Sequence, residues 1–326
     1  MESTGKYWIP VFNILETSCN ITLAHPKYVK AIRGKKTDKK DAQWIADLFK
    51  HDLVAGSFMP PLAIRQLRDL MRYHFKLTNF MSSEKKRLQN SLTVSNIQLG
   101  NVVSDTFGKS SMKDKLPELE LAIDGLITPE QAGKLRVIRQ HYDDLQNRKS
   151  DLDDIILCLS APYAEEINLI LTVPSFKNIF SAITVVSEIG VNMDVFPTAK
   201  HLCSWAGLTP TNNESAGKKK SVRISRAGCY IKPLLVQCAT AVVRSEKHPE
   251  IRNRYLNIKK RRGHKRAIIA IARMLLTAIY MILKKKEAYN PNLYKKSDVL
   301  PANREITVEQ AILLAKSQGY RIMAAT

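Results

Sequence analysis

Apolar positions recur at helical spacing along most of this chain. From Ile64 onward, Leu67, Met71, His74, Thr78, Met81, Lys85, Leu88 and Leu92 follow a heptad with polar interruptions. Leu135, Ile138, Tyr142, Leu145, Lys149, Leu152, Ile156 and Leu159 follow a second. With a Gly- and Ser-containing loop over 100–111 between them, the two heptads predict an antiparallel coiled-coil hairpin, or a dimerisation arm if the seam pairs between chains. Pro162 closes the arm. Residues 169–190 then read apolar–turn–helix, the layout of a helix–hairpin–helix that holds a phosphate backbone through turn amides. Its turn, Val173-Pro174-Ser175-Phe176, lacks the glycines that allow close approach to phosphate. Further helices are predicted over 230–243, 251–260 and 267–283, with Gly263 separating the last two, and over 307–318, capped by Thr307 with Gln310 three residues on.

The opening of the chain carries a different pattern. Residues 1–4 read as the tail of a strand, Gly5 as a turn, Pro10 as the start of a helix, and 20–24 as a short strand ended by His25-Pro26. Strand, helix and strand this close together predict an α/β unit. A basic segment with Lys27, Lys30, Arg33, Lys35 and Lys36 leads into a helix capped by Thr37 or Asp38 and running through Phe49. Asp38 and Asp41 share one face of its first turn. With Glu2 converging from a strand end, this is the arrangement by which two-metal nucleases hold Mg²⁺. Two acids at a helix N-terminus equally complement its dipole.

Charge narrows the class. The 326-residue chain has a formal net charge of +21 and 44% hydrophobic residues, so it folds around real cores and suits a polyanionic partner, nucleic acid before an anionic membrane. Cations cluster at 218–226 and 259–266. The five cysteines (Cys19, Cys158, Cys203, Cys229 and Cys238) show no metal-ligand spacing, which predicts reduced thiols, no structural zinc and a cytoplasmic protein. No leader pattern opens the chain, and the apolar run 267–283, interrupted by Arg273, falls short of the ~20 residues a membrane span needs. A buried helix is expected there, and no membrane partner.

The candidate chemistry centres on one hydroxyl. The largely apolar stretch 199–208 runs into a Pro/Asn/Ser/Gly loop that presents Ser215, followed by Lys218, Lys219, Lys220, Arg223 and Arg226. A small nucleophile on an exposed turn, beside cations that hold a phosphate, suits attack on a nucleic-acid backbone. A serine in such a loop is equally a solvated turn.

Three blocks stand in order: Glu2-Ser3-Thr4-Gly5-Lys6-Tyr7, then Lys36-Thr37-Asp38-Lys39-Lys40-Asp41-Ala42, then Trp205-Ala206-Gly207-Leu208-Thr209-Pro210 with Glu214-Ser215-Ala216-Gly217 and Ile224-Ser225-Arg226-Ala227-Gly228. They resemble the signatures of the insertion-sequence one-hundred-and-ten family of transposases, the bridge-RNA-guided DEDD/serine recombinases, across roughly residues 1–290. The resemblance implies an RNase H-like (Holliday-junction-resolvase-like) domain holding Mg²⁺ through four acids. Glu2, Asp38 and Asp41 match three of them, and the first would lie ahead of Glu2. It also implies a C-terminal domain in which Ser215 joins transiently to a DNA phosphate, with Ala216 standing where the family has glycine. A non-coding guide RNA pairing with donor and target DNA, assembly as dimers that form tetramers, and a nucleoid-associated bacterial protein are implied as well.

The expected organisation is a truncated RNase H-like DEDD domain at 1–60 (an α/β remnant), a coiled-coil arm at 61–162, a mainly α serine-containing transposase domain at 163–290, and a tail at 291–326 with a short helix. Expected nucleic-acid contacts are Lys35, Lys36, Lys218, Lys219, Lys220, Arg223, Arg226, Lys259, Lys260, Arg261 and Arg262. Two alternatives stay open: a catalytically dead remnant that only binds DNA or RNA, and a metal-dependent junction resolvase in which Asp38 is essential and Ser215 is not.

Overall fold

The computed structural model describes residues 1–3, 5–26, 29, 37–54, 56–97, 127–210, 213–215, 218–221 and 223–294, with 213–215, 218–221 and 293–294 described by backbone alone. The expected loop at 100–111, the cations Lys35 and Lys36, and the helix at 307–318 lie outside the described residues.

In chain order the elements are α1 (Trp8–Leu15), α2 (Asp38–Lys50), α3 (Leu62–Val94), α4 (Pro129–Ser160), α5 (Ala164–Leu171), α6 (Ile179–Ile189), α7 (Ala199–Trp205), β1 (Asn213–Ser215), β2 (Lys218–Ser221), α8 (Ile231–Arg244), α9 (Pro249–Arg262) and α10 (His264–Lys285). The molecule is mainly helical. At its start, three extended segments meet: Glu2 bridges Ala24 in parallel, and Ala24 bridges Gly56 antiparallel. Main-chain bonds from Ser3 N to Ala24 O (2.9 Å) and from Ser57 N to Leu23 O (2.7 Å) hold them. Helix α1 crosses between the two parallel segments, as a strand–helix–strand reading requires, but among the described residues none of the three extends into a strand.

Helices α3 and α4 run antiparallel. Near one end His74 Nε2 lies 3.0 Å from Asp153 Oδ1, and farther along His141 Nδ1 lies 3.3 Å from Glu84 Oε1. The seam departs from the expected heptads. Thr78 is exposed and Leu77 is buried instead; Glu84 and Ser91 follow it into the seam. Leu159 is also exposed, with Ser160 buried in its place. The reason is that α3 serves two partners. Its first turns pack on α6 as well as α4, so the apolar stripe rotates between them. Glu84 tolerates burial because Arg87 and His141 both face its carboxylate.

The core is one continuous cluster running from Ile64, Leu67 and Met71 through Ile156 and Ile183 to Leu283. The root of the helical hairpin is therefore part of the same core as the C-terminal helices. At its centre stands α10, which packs on α5, α7, α8 and α9. It buries most of its circumference, including Ile268, Leu275, Leu276 and Ile279, and leaves Met281 and Lys284 exposed. It is long and apolar enough to cross a membrane, but 67% of its apolar window is buried inside the protein. Each fully buried Leu or Ile here stabilises the fold by about 1.5–3 kcal/mol.

The turn between α5 and α6 forms without glycine. Ser175 takes φ +72°, a left-handed conformation that costs a non-glycine residue about 1–2 kcal/mol. Phe176, buried to 1% exposure, anchors it. Asn178 caps α6, its side chain accepting from Phe180 N at 2.9 Å.

Candidate active-site hairpin and nucleic-acid interface

The loop expected around Ser215 is an antiparallel β-hairpin. Ser215 ends β1 opposite Lys218, Glu214 pairs Lys219, and Asn213 pairs Ser221 with a register irregularity after Asn213. An isolated bridge between Pro210 and Ile224 closes the base. Backbone groups that a solvated turn leaves to water pair across this ladder, which is why the segment is strand rather than loop. Residues 216–217, which connect the strands, lie outside the described residues.

The base of the hairpin rests on two glycines set against each other. Gly207 and Gly228 both take φ +68°. A Cβ on Gly207 would sit 2.5 Å from Ala227 O, and one on Gly228 would sit 2.3 Å from Ala206 O. Both positions therefore need glycine for backbone conformation and for close approach. Lys232 on α8 adds a clamp, donating from Nζ to Ser225 O at 2.7 Å. Its burial lowers its pKa below the usual lysine value. Ser225 Oγ accepts from Ala227 N at 3.3 Å.

Arginines on α3 tie this platform to the rest of the chain. Arg72 donates to both carboxylate oxygens of Glu188 at the end of α6, at 2.8 and 3.0 Å. Its guanidinium lies 4.5 Å from the ring centroid of Tyr230, which opens α8. Although burial alone would lower it, the hydrogen bonds and charge of Glu188 leave the Arg72 pKa raised. Arg68 donates to the carbonyls of Ser187 (2.9 Å) and Glu188 (2.8 Å), and burial drops it to about 10. Arg65 reaches the other way, to Glu16 just past α1.

The acid set is less assembled. Thr37, not Asp38, caps α2, accepting from Lys40 N at 3.4 Å. Asp38 and Asp41 lie in its first turn, while Glu2 sits on the bridge to Ala24. Among the described residues no group of three or more His, Cys, Asp or Glu side chains could hold a metal ion. The physical reason lies in α2, which buries no residue and is held by Trp44 Nε1 donating to Val29 O at 3.2 Å. With no residue buried, α2 offers no packed face to register Asp38 and Asp41 against Glu2. As they stand, the three carboxylates do not fit a shared metal site.

Of the expected cations, Arg223 and Arg226 are exposed beside the hairpin, and Lys259, Lys260, Arg261 and Arg262 form the exposed last turn of α9. Lys218, Lys219 and Lys220 lie in β2 and are described by backbone alone. The cysteines offer no competing nucleophile in the core: burial raises Cys203, and it pushes Cys238 up to about 11. Sequence reasoning missed Lys232, Arg68, Arg72 and Glu188. Gly207 and Gly228 did stand in the quoted blocks, but their mutual contact was not readable from spacing.

A serine-ended hairpin followed by cations, in a chain that opens with acid-bearing segments, is compatible with a protein that acts on DNA, and two family models give the class: a transposase. A family model for the DEDD transposase of IS110, described as Transposase, matches residues 1–97. A second, described as Transposase IS116/IS110/IS902 family, matches residues 167–256. The chain belongs to the IS110 family of insertion-element transposases. It is also 24% identical over 300 residues to the Transposase for insertion sequence element IS1111A of Coxiella burnetii (strain RSA 493 / Nine Mile phase I), covering 89% of this chain and 78% of that protein.

Proposed function

We propose that the protein recombines DNA by covalent catalysis from Ser215. The observation that carries this reading is the hairpin itself, which places Ser215 at a strand end on a platform that Gly207, Gly228 and Lys232 make stiff. In the proposed step the Ser215 hydroxyl gives up its proton and its oxygen bonds to phosphorus. One bridging P–O bond of the backbone breaks, and a deoxyribose hydroxyl leaves carrying a proton. A hydroxyl from another strand reverses the step and frees the serine. The alcohol needs help because its pKa is far above neutrality, and neighbouring cations such as Arg223 and Arg226 stabilise the charge that develops on phosphate oxygens.

The family match supports a divalent metal, with Glu2, Asp38 and Asp41 as the residues through which this chain would offer oxygen ligands to Mg²⁺. Bound there, such an ion would supply Lewis-acid stabilisation of the phosphate. Among the described residues the three acids do not form one group. DNA is the substrate of this reading, a guide RNA its means of choosing the site, and a homodimer or tetramer pairing through the α3–α4 arm its assembly. The ungrouped acids favour one alternative, a protein that binds nucleic acid without cutting it.

The test is to incubate the protein with plasmid carrying the ends of its own element, transcripts of the flanking non-coding sequence and Mg²⁺. Protein–DNA adducts are then trapped in detergent gels. The wild-type chain is expected to give an adduct, and Ser215→Ala to lose it at least 10³-fold while still retarding DNA. An adduct that survives Ser215→Ala would sink the serine mechanism. Retardation with no adduct from either protein would favour the non-cutting alternative.

A further inference from the structure

A cleft of about 470 Å³ opens between α8, α9 and the start of α10, apart from the serine hairpin. Val243, Tyr255 and Leu256 give it apolar walls, and Arg244, Arg252 and Lys259 line it with positive charge. The sequence builds it simply. Arg252, Tyr255, Leu256 and Lys259 are spaced i, i+3, i+4 and i+7, so one stripe of α9 faces the opening. Gly263, at φ +80°, turns the chain so that α10 starts beside α9 and His264 Nδ1 meets the Tyr255 hydroxyl at 2.7 Å. Tyr255 is buried, with the Lys259 ammonium 5.9 Å from its ring centroid, and so forms a fixed wall.

The charge is not neutralised from within. Neither Arg244 nor Arg252 has an ion-pair partner among the described residues, and the only acid on α9, Glu250, faces His248 at 3.5 Å. Like charges gathered at one opening raise the local potential and attract an anion. The cleft is also concave and half apolar, which a flat track of duplex phosphates does not need. A base stacked in a duplex cannot enter it, whereas an unstacked one can lie against Leu256 and Val243.

We propose that this cleft binds one nucleotide of an unpaired nucleic-acid strand. Its phosphate lies among Arg244, Arg252 and Lys259, and its base and sugar lie against Leu256 and Val243. The site is separate from Ser215, so it does not depend on the serine mechanism.

The experiment uses the full chain carrying Ser215→Ala, so that binding is read without strand chemistry. Its probes are a fluorescein-labelled oligothymidylate and a labelled duplex of equal length, followed by anisotropy across a salt series. Arg244→Gln with Arg252→Gln is expected to weaken single-strand binding roughly tenfold and to reduce the log–log salt slope by about 1.4, while duplex binding falls less than about threefold. Leu256→Glu, at a helix position 46% exposed, is expected to give a similar selective loss. Arg252→Lys keeps the charge and is expected to retain most of the affinity. Lys285→Ala, at the opposite end of α10, serves as the control and is expected to change affinity less than about twofold. Equal losses for single strand and duplex would overturn the proposal, as would a Lys285→Ala loss matching that of the cleft variants. Single-strand binding unchanged in the double variant would overturn it too. None of these outcomes bears on whether Ser215 attacks DNA.

Discussion

The two regions that carry the candidate chemistry are built to different standards of packing. Around Ser215, the platform sits on helices whose side chains vanish into one core: Leu235 on α8 and Ile279 on α10 are fully buried. Around Glu2, Asp38 and Asp41, α1 buries only Phe12, leaves Ile14 71% exposed, and α2 buries nothing. A serine held by the first kind of packing has a defined position. Acids held by the second kind lack a packed helix face beneath them. The difference explains why the hairpin is assembled and the acid set is not. What joins the regions is α3, whose Arg65 reaches Glu16 and whose Arg68 and Arg72 reach the end of α6.

The comparison can be broken most directly in the core. Leu235→Ala is expected to cost about 2–5 kcal/mol in chemical denaturation, because it opens a cavity that fixed neighbours cannot fill. Ile14→Ala in α1 should change stability by less than about 0.5 kcal/mol. Equal costs would mean that the N-terminal region is packed as tightly as the C-terminal one.

The joint between the regions is the next target. Glu188→Ala strips Arg72 of a hydrogen-bonded carboxylate that is 6% exposed while leaving Arg68 its carbonyl partners, and a loss of about 1–3 kcal/mol is expected. Limited proteolysis should then cut α3 sooner than the C-terminal helices. A loss below about 0.5 kcal/mol would remove the arginines from the account of how the platform is held.

The smallest effect expected is a pH dependence in the arm. Burial, aided by the nearby Lys149 and opposed by Asp153, holds His74 below its usual value of 6.5. Its ring stacks on Phe180 with centroids 5.2 Å apart. A depressed histidine favours the neutral form in the folded state, so the unfolded chain binds more protons. Its contribution is therefore fully present above about pH 6.5 and is lost as pH falls through the folded value. Wild type should lose a few degrees of Tm more than His74→Gln between about pH 7 and pH 5.5. Parallel Tm curves would exclude the histidine.

Much of this was legible locally. A cap at Thr37 or Asp38, the breaks at Pro162 and Gly263, the helices at 230–243 and 267–283, and the antiparallel run of the long helices follow from capping residues and apolar period. The blocks containing Glu2, Asp38 and Ser215 were readable as a family resemblance. The strand at Ser215 was not, because three residues of β1 carry no period, and only pairing with β2 and the Pro210–Ile224 bridge makes them strand. Nor was the shift from Thr78 to Leu77, since a heptad reads one partner and α3 has two.

The sequence by itself determined the long helices and the breaks between them, the strong positive charge and the order of the family's blocks, because caps, breaks and apolar period depend on residues within a turn or two of one another, and charge and block order on the chain alone. Tertiary structure alone decided that Gly207 lies against Gly228, that Glu188 meets two arginines more than a hundred residues away, that Arg244 and Arg252 share a cleft, and that Glu2 does not join Asp38 and Asp41. Those relations join segments far apart in the chain, and only the packing between them sets their distance and angle.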